Sequence, residues 1–212
     1  MNEVKTIIKS AQNDLRELLN EMAQSGGFTV ERYVRFLSMQ YHLTNGVQRH
    51  FFRLAAHPDF VRKGRFRDFL YRFGSEEEPH FEVAARDLTA LDQKLLPAPL
   101  DVQLWWAFFD SVIDVRPCLR LGASCILENI GTTSSDIVRQ FVQNSSFMTP
   151  KNTRFLITHL HEELPHGDQV LQALEDAHLS VAQHAELAEG SRIGRVFYLR
   201  FARWVKDGEA AT

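Results

Sequence analysis

Apolar residues recur along this chain at three- and four-residue spacing almost from end to end, and no segment sustains an alternation of β-branched and polar residues. A face that repeats every ~3.6 residues belongs to a helix, so the pattern confines the chain to an all-α fold. Val4, Ile7, Ile8, Ala11, Leu15, Leu18, Leu19 and Met22 form the first stripe, closed by Gly26-Gly27. Thr29 is the expected N-cap of a second helix that carries Tyr33, Phe36, Leu37, Tyr41, Val47 and Phe51 and stops near His57-Pro58. A third helix is expected over 59–73, interrupted by Gly74. Ser75 and Glu78 then read as a capping box opening a helix through Phe81, Leu88 and Leu91. Further helices are expected over 101–115, with a continuation to 130 kinked by Pro117, then over 136–147, 153–164 and 168–188. Gly190-Ser191 is expected to precede a last helix over 196–205. No repeat or low-complexity tract divides the chain, so a single multi-helical domain is expected over 1–212.

Composition narrows the function. The chain has 24 Lys+Arg against 27 Asp+Glu, a net charge of −3 over 212 residues. That balance lacks the electrostatic footprint of a nucleic-acid or anionic-membrane binder. Two cysteines, Cys118 and Cys125, exclude a disulfide framework and a four-cysteine zinc site. No run of about 18 apolar residues appears, and the opening residues lack a signal-peptide pattern. The expectation is a soluble cytoplasmic protein.

Three regions gather metal-ligating side chains. His159, Glu163 and His166 stand at i, i+4 and i+7, within roughly 60° of one helical face. Two imidazoles and a carboxylate suit iron or manganese better than structural zinc, which favours thiolates. A solvated polar face is the competing reading, and it is the preferred one for His161 and Glu162, which lie off the arc. Glu128 sits in an otherwise small or apolar run, where a carboxylate needs a cation or a salt bridge, with Arg116 or Arg120 the obvious partner. Glu76, Glu77 and His80 form the third group. Either glutamate can share a helical face with His80, although acids at a helix start are also favoured by the dipole alone. Carboxylates and imidazoles on facing helices are the usual way a helical bundle builds a two-metal centre.

Taken together, these stretches resemble the heme-oxygenase-like diiron oxidase and oxygenase family, often labelled iron-containing redox enzymes. The similarity runs over roughly residues 28 to 190. It is carried by the early helix 31–43, by Glu76-Glu77-Glu78-Pro79-His80, by Gly122-Ala-Ser-Cys-Ile-Leu-Glu128-Asn-Ile-Gly131, and by His159-x3-Glu163-x2-His166. The resemblance implies a heme-oxygenase-like helical bundle. It also implies two non-heme irons per chain, with Glu77, His80, Glu128, His159, Glu163 and His166 as ligands. The activity implied is O2-dependent oxidation of a small organic substrate resembling an amino acid or a fatty acid. The chain departs from the family in three places. The family's longer Glu–His spacing would put Phe73 in a ligand position, so the shorter spacing to Glu77 applies. Glu163 stands where Asp is common, and Pro165 precedes His166.

Two other readings come from the same fold. A metal-free thiaminase-type hydrolase would use Cys118 as nucleophile, and a non-catalytic helical binding protein would need no metal. A true heme oxygenase would need an axial His on its first helix, which has none. His42 and His50 are expected in core or surface roles, His57 at a helix end, and His178 and His184 in solvent. The Trp105-Trp106-Phe108-Phe109 cluster is expected in the core or at a homodimer contact, with the wall of an apolar substrate pocket as the alternative. Arg192, Arg195, Arg200, Arg203 and Lys206 read as a solvated basic stripe, with an acidic ligand or partner as the alternative.

Overall fold

The computed structural model describes residues 1–160 and 166–208; the side chains of 158–160 lie outside that description. Among the described residues every regular element is helical. The elements are α1 (Asn2–Gln24), α2 (Val30–Thr44), α3 (Gln48–Ala56), α4 (Gly64–Glu77), α5 (His80–Ala90), α6 (Leu100–Val112), α7 (Pro117–Asn129), α8 (Ser135–Asn144), α9 (Arg154–Leu160), α10 (His166–Asp176) and α11 (Val181–Asp207). The all-α expectation holds. The apolar stripe of α1 is buried at all eight of its positions, and Thr29 caps α2 by accepting a hydrogen bond from the Arg32 N–H.

Several boundaries differ from the sequence reading, each for a local reason. The expected second helix is two helices, because Gly46 takes a left-handed φ of +89° between α2 and α3. α4 runs straight through Gly74 to Glu77, so there is no capping box: the Ser75 hydroxyl donates back to Tyr71 O, 3.0 Å away, inside the helix. Pro117 does not kink a continuing helix. It opens α7 as its first residue, where the missing N–H costs nothing. The expected break at Gly190-Ser191 is absent, and the break falls instead before Ser180, whose side chain and that of Gln183 form a capping box for α11.

The reason for the glycines lies between helices. α7 and α11 cross with their backbones in contact. A Cβ on Gly122 would stand 2.1 Å from Leu187 O, and one on Gly190 would stand 2.1 Å from Leu119 O. The Ser191 hydroxyl completes the crossing, 2.9 Å from Leu187 O and 3.0 Å from Gly122 O. α7 is thereby the central helix, buried from Pro117 to Ile126, with α1, α6, α10 and α11 packed around it. The Trp105 ring packs edge-on against Phe109, Phe197 and Phe201, which places that aromatic cluster in the core.

The basic stripe on α11 is matched by acids. Arg192 meets Glu3, Arg195 meets Asp14 at 2.5 Å, Lys206 meets Glu21 at 2.6 Å, and Arg200 meets the buried Asp101 at 2.7 Å. These pairs tie α11 to α1 and α6 and neutralise four of the stripe's five cations. The exposed ones add little stability. No described helix is long and apolar enough to cross a membrane.

Candidate metal centre

Four of the six residues singled out as ligands are described, and they converge. Glu77 is the last residue of α4 and His80 the first of α5, separated by the Glu78-Pro79 break. Glu128 lies in the last turn of α7, and His166 opens α10. His159 lies on α9 with its side chain outside the described residues, and Glu163 and Pro165 are wholly outside them.

Glu77 is the hub. It is 5% exposed, and its two oxygens reach two imidazoles: Oε2 lies 2.8 Å from His80 Nδ1, and Oε1 lies 2.6 Å from His166 Nδ1. His166 Nδ1 is also 3.9 Å from Glu128 Oε2. One ligand atom from each of Glu77, Glu128 and His166 falls within 4.8 Å of the others, the spacing of atoms that can share a cation. The His80 contact is a hydrogen bond, in which the ring N–H donates and the carboxylate accepts. His80 thus takes the second oxygen of the same carboxylate, with its ring 5.9 Å from that of His166.

Charge placement favours a cation. Burial pushes the Glu77 carboxyl up, but the two imidazoles outweigh burial and hold it at about 2, so it is ionised. Glu77 and Glu128 both sit at helix C-terminal ends, where the dipole is already negative, and His80 and His166 sit at helix N-terminal ends, where it is positive. Both carboxylates are on the unfavourable end for their charge. This reverses the sequence reading of the 76–78 acids as residues of a helix start. A metal ion at the C-terminal ends of α4 and α7 relieves the conflict. The donor set also fits: Glu77 Oε1 and His166 Nδ1 approach to 2.6 Å, as two ligand atoms of one cation can.

The surroundings position the cluster. Phe73, on α4, packs edge-on against the His166 ring at 5.1 Å, so this residue is a wall of the site. Gly167 follows His166, and a Cβ there would stand 2.3 Å from Asn129 Oδ1. α10 therefore begins in contact with the end of α7 that carries Glu128. Asp87, fully buried on α5, accepts a 2.9 Å hydrogen bond from the Phe155 N–H and so holds the start of α9. Neither arginine suggested as a partner of Glu128 forms that salt bridge. Arg116 pairs with Glu186 and Glu189, and Arg120 bonds to His50 and Ser124.

The cluster opens on a cavity of about 260 Å³. Glu77, Glu128 and His166 line it together with Leu15, Leu19, Met39, Leu43, Leu127, Phe155 and other apolar side chains from α1, α2, α7, α8, α9 and α11. Its polar points include Gln40, Thr44 and Tyr198. The Tyr198 phenol, pushed up to about 12 by burial, hydrogen-bonds with Gln40.

Cys118 stands apart from this site. It is fully buried, does not line the cavity, and burial pushes its thiol up to about 12. A thiol in that state is not a nucleophile.

One solved structure with strong similarity is a domain of unknown function with a heme oxygenase-like fold from Shewanella denitrificans OS217. It superposes with a TM-score of 0.78 at 19% identity, over 96% of this chain and 89% of that one. The chain therefore has the heme oxygenase-like fold. No family model and no curated protein matches it.

Proposed function

We propose that this protein is an O2-dependent non-heme iron oxidase or oxygenase acting on a small, mainly apolar organic substrate. The observation that carries the reading is the convergence of Glu77, Glu128 and His166 at the wall of an apolar cavity. These three residues would hold one iron. His80 Nε2, His159 and Glu163 complete the set that the family resemblance implies for a second. Bound iron would supply the activation of O2, which no protein side chain provides.

The chain's own residues do the rest. His80 Nδ1 holds its proton against Glu77 Oε2 and so orients the carboxylate. Phe73 keeps the His166 ring from turning. The apolar walls exclude water and select an apolar substrate body, while Gln40, Thr44 and Tyr198 offer hydrogen bonds to one polar group on it.

The test is anaerobic loading with Fe(II), metal counting, and measurement of O2 uptake. One or two irons per chain and iron-dependent O2 consumption are expected. Glu128→Gln and His166→Ala should each cut iron retention at least about tenfold with the helical circular dichroism unchanged. A wild-type chain that retains no iron, or variants that load as fully as the wild type, would overturn the reading.

A further inference from the structure

Arg120 is a charged side chain sealed inside the protein, 1% exposed. No carboxylate oxygen among the described residues lies within 4.0 Å of its guanidinium. Its close partners are neutral. Nε donates to His50 Nδ1 at 3.0 Å and Nη1 to Ser124 Oγ at 2.6 Å, while the faces of Phe51, Trp105 and Phe109 surround it at 5.3 to 5.6 Å. His50 accepts at Nδ1, so its proton is on Nε2, which donates to Asp110 at 3.0 Å. Burial pulls His50 down to about 3, which keeps it neutral and able to accept from Arg120.

Burying a guanidinium without a carboxylate in contact is costly, and such groups persist where they have a use. α7 shows what this one faces. Arg120, Ser124 and Glu128 stand at i, i+4 and i+8 on one face of the helix. Arg120 reaches along it to Ser124, in the direction of Glu128. Eight residues of helix span about 12 Å, and that reach brings the guanidinium nearer to the site by about one turn. Burial pulls Arg120 down to about 10, and the charges opposing that pull are Glu128 and Glu77, the two carboxylates of the metal centre.

We propose that Arg120 is a positioning residue of the metal centre, a fixed positive charge held at middle distance from Glu77 and Glu128 without touching either. The inference rests on the metal-centre reading above. The path from Asp110 through His50 to Arg120 is not a proton wire, because a guanidinium does not release its proton. Its role is to hold the guanidinium in one place. The charge offsets the two carboxylates, weakens the site's grip on a divalent ion, and disfavours the more highly charged ferric state.

The test compares Co(II) affinity by titration calorimetry at neutral pH in wild type, Arg120→Lys and Arg120→Gln. Removing one charge about 10 Å from a divalent ion should tighten binding about tenfold at an intermediate effective dielectric. Arg120→Lys should stay within about twofold of wild type. Should Arg120→Gln fail to fold, the double variant Arg120→Met with His50→Leu removes the charge and its neutral partner together, an exchange that apolar cores accept. The iron-loaded chain gives a second readout: the ferric/ferrous midpoint should move to more negative potential in the neutral variant and return in Arg120→Lys. Folded neutral variants that bind Co(II) as the wild type does, or more weakly, would overturn the role of Arg120. A wild type that binds no Co(II) would overturn the metal-centre reading itself.

Discussion

Gly167 lacks a side chain because Asn129 occupies the place where one would stand. The position holds His166 against Glu128, so its effect should appear in metal binding. Gly167→Ala should push the start of α10 off α7, weaken Co(II) binding several-fold, and cost about 1–3 kcal/mol of stability through overpacking. Co(II) titration beside thermal denaturation checks both. At this scale the sequence was informative where the chemistry is unusual. Glu128 stands out in an apolar run, and Glu77, His80 and His166 stand out by side-chain chemistry, although Glu77 and His80 lie on two helices and not on the shared face their spacing suggested. Arg120 and His50 carried no such signal. They are 70 residues apart, and only folding brings the guanidinium to the ring. Asp87 was silent for the same reason, being joined to Phe155 across 68 residues.

Helix boundaries decide the geometry of the site, and they were the least legible part of the fold. A capping box at Ser75 would have placed Glu77 and His80 on the first turn of one helix. The break at Glu78-Pro79 puts them on two helices instead, which lets the carboxylate lie between two rings. The Gly190-Ser191 pair misled in the opposite direction. A glycine inside a helical pattern reads as punctuation from local propensity, but here it serves a neighbour that sequence does not display. The α7–α11 crossing tolerates no added carbon. Gly190→Ala should lose about 3 kcal/mol or more, since the clash is with backbone and neither helix can give way. Urea denaturation measures it, with a lowered midpoint at an unchanged slope.

At the scale of the whole molecule, the cavity is the feature that sequence could not disclose. Its walls come from eight helices, and residues such as Leu19, Leu43 and Phe155 look like ordinary core in a linear pattern. The void exists because their side chains stop short of one another. Filling it tells the cavity apart from the carboxylate and imidazole cluster on its wall. Leu19→Trp should abolish uptake of a small apolar probe such as benzene, measured by calorimetry, while Co(II) binding remains within about twofold of wild type. Loss of both together would mean that the cavity and the cluster are not separable. The all-α class, by contrast, was written in the apolar periodicity, which survives every misplaced boundary.

The close crossing of α7 with α11 also sets an order of events. Ser191 meets Gly122 across 69 residues, so the closest backbone crossing of the helix that carries Glu128 forms only once α11 has been synthesised. On the ribosome, α1 to α10 would emerge with the α11-facing side of α7 exposed. The tightest packing behind Glu128 is thus completed late in synthesis, when the longest of the described helices closes over α7.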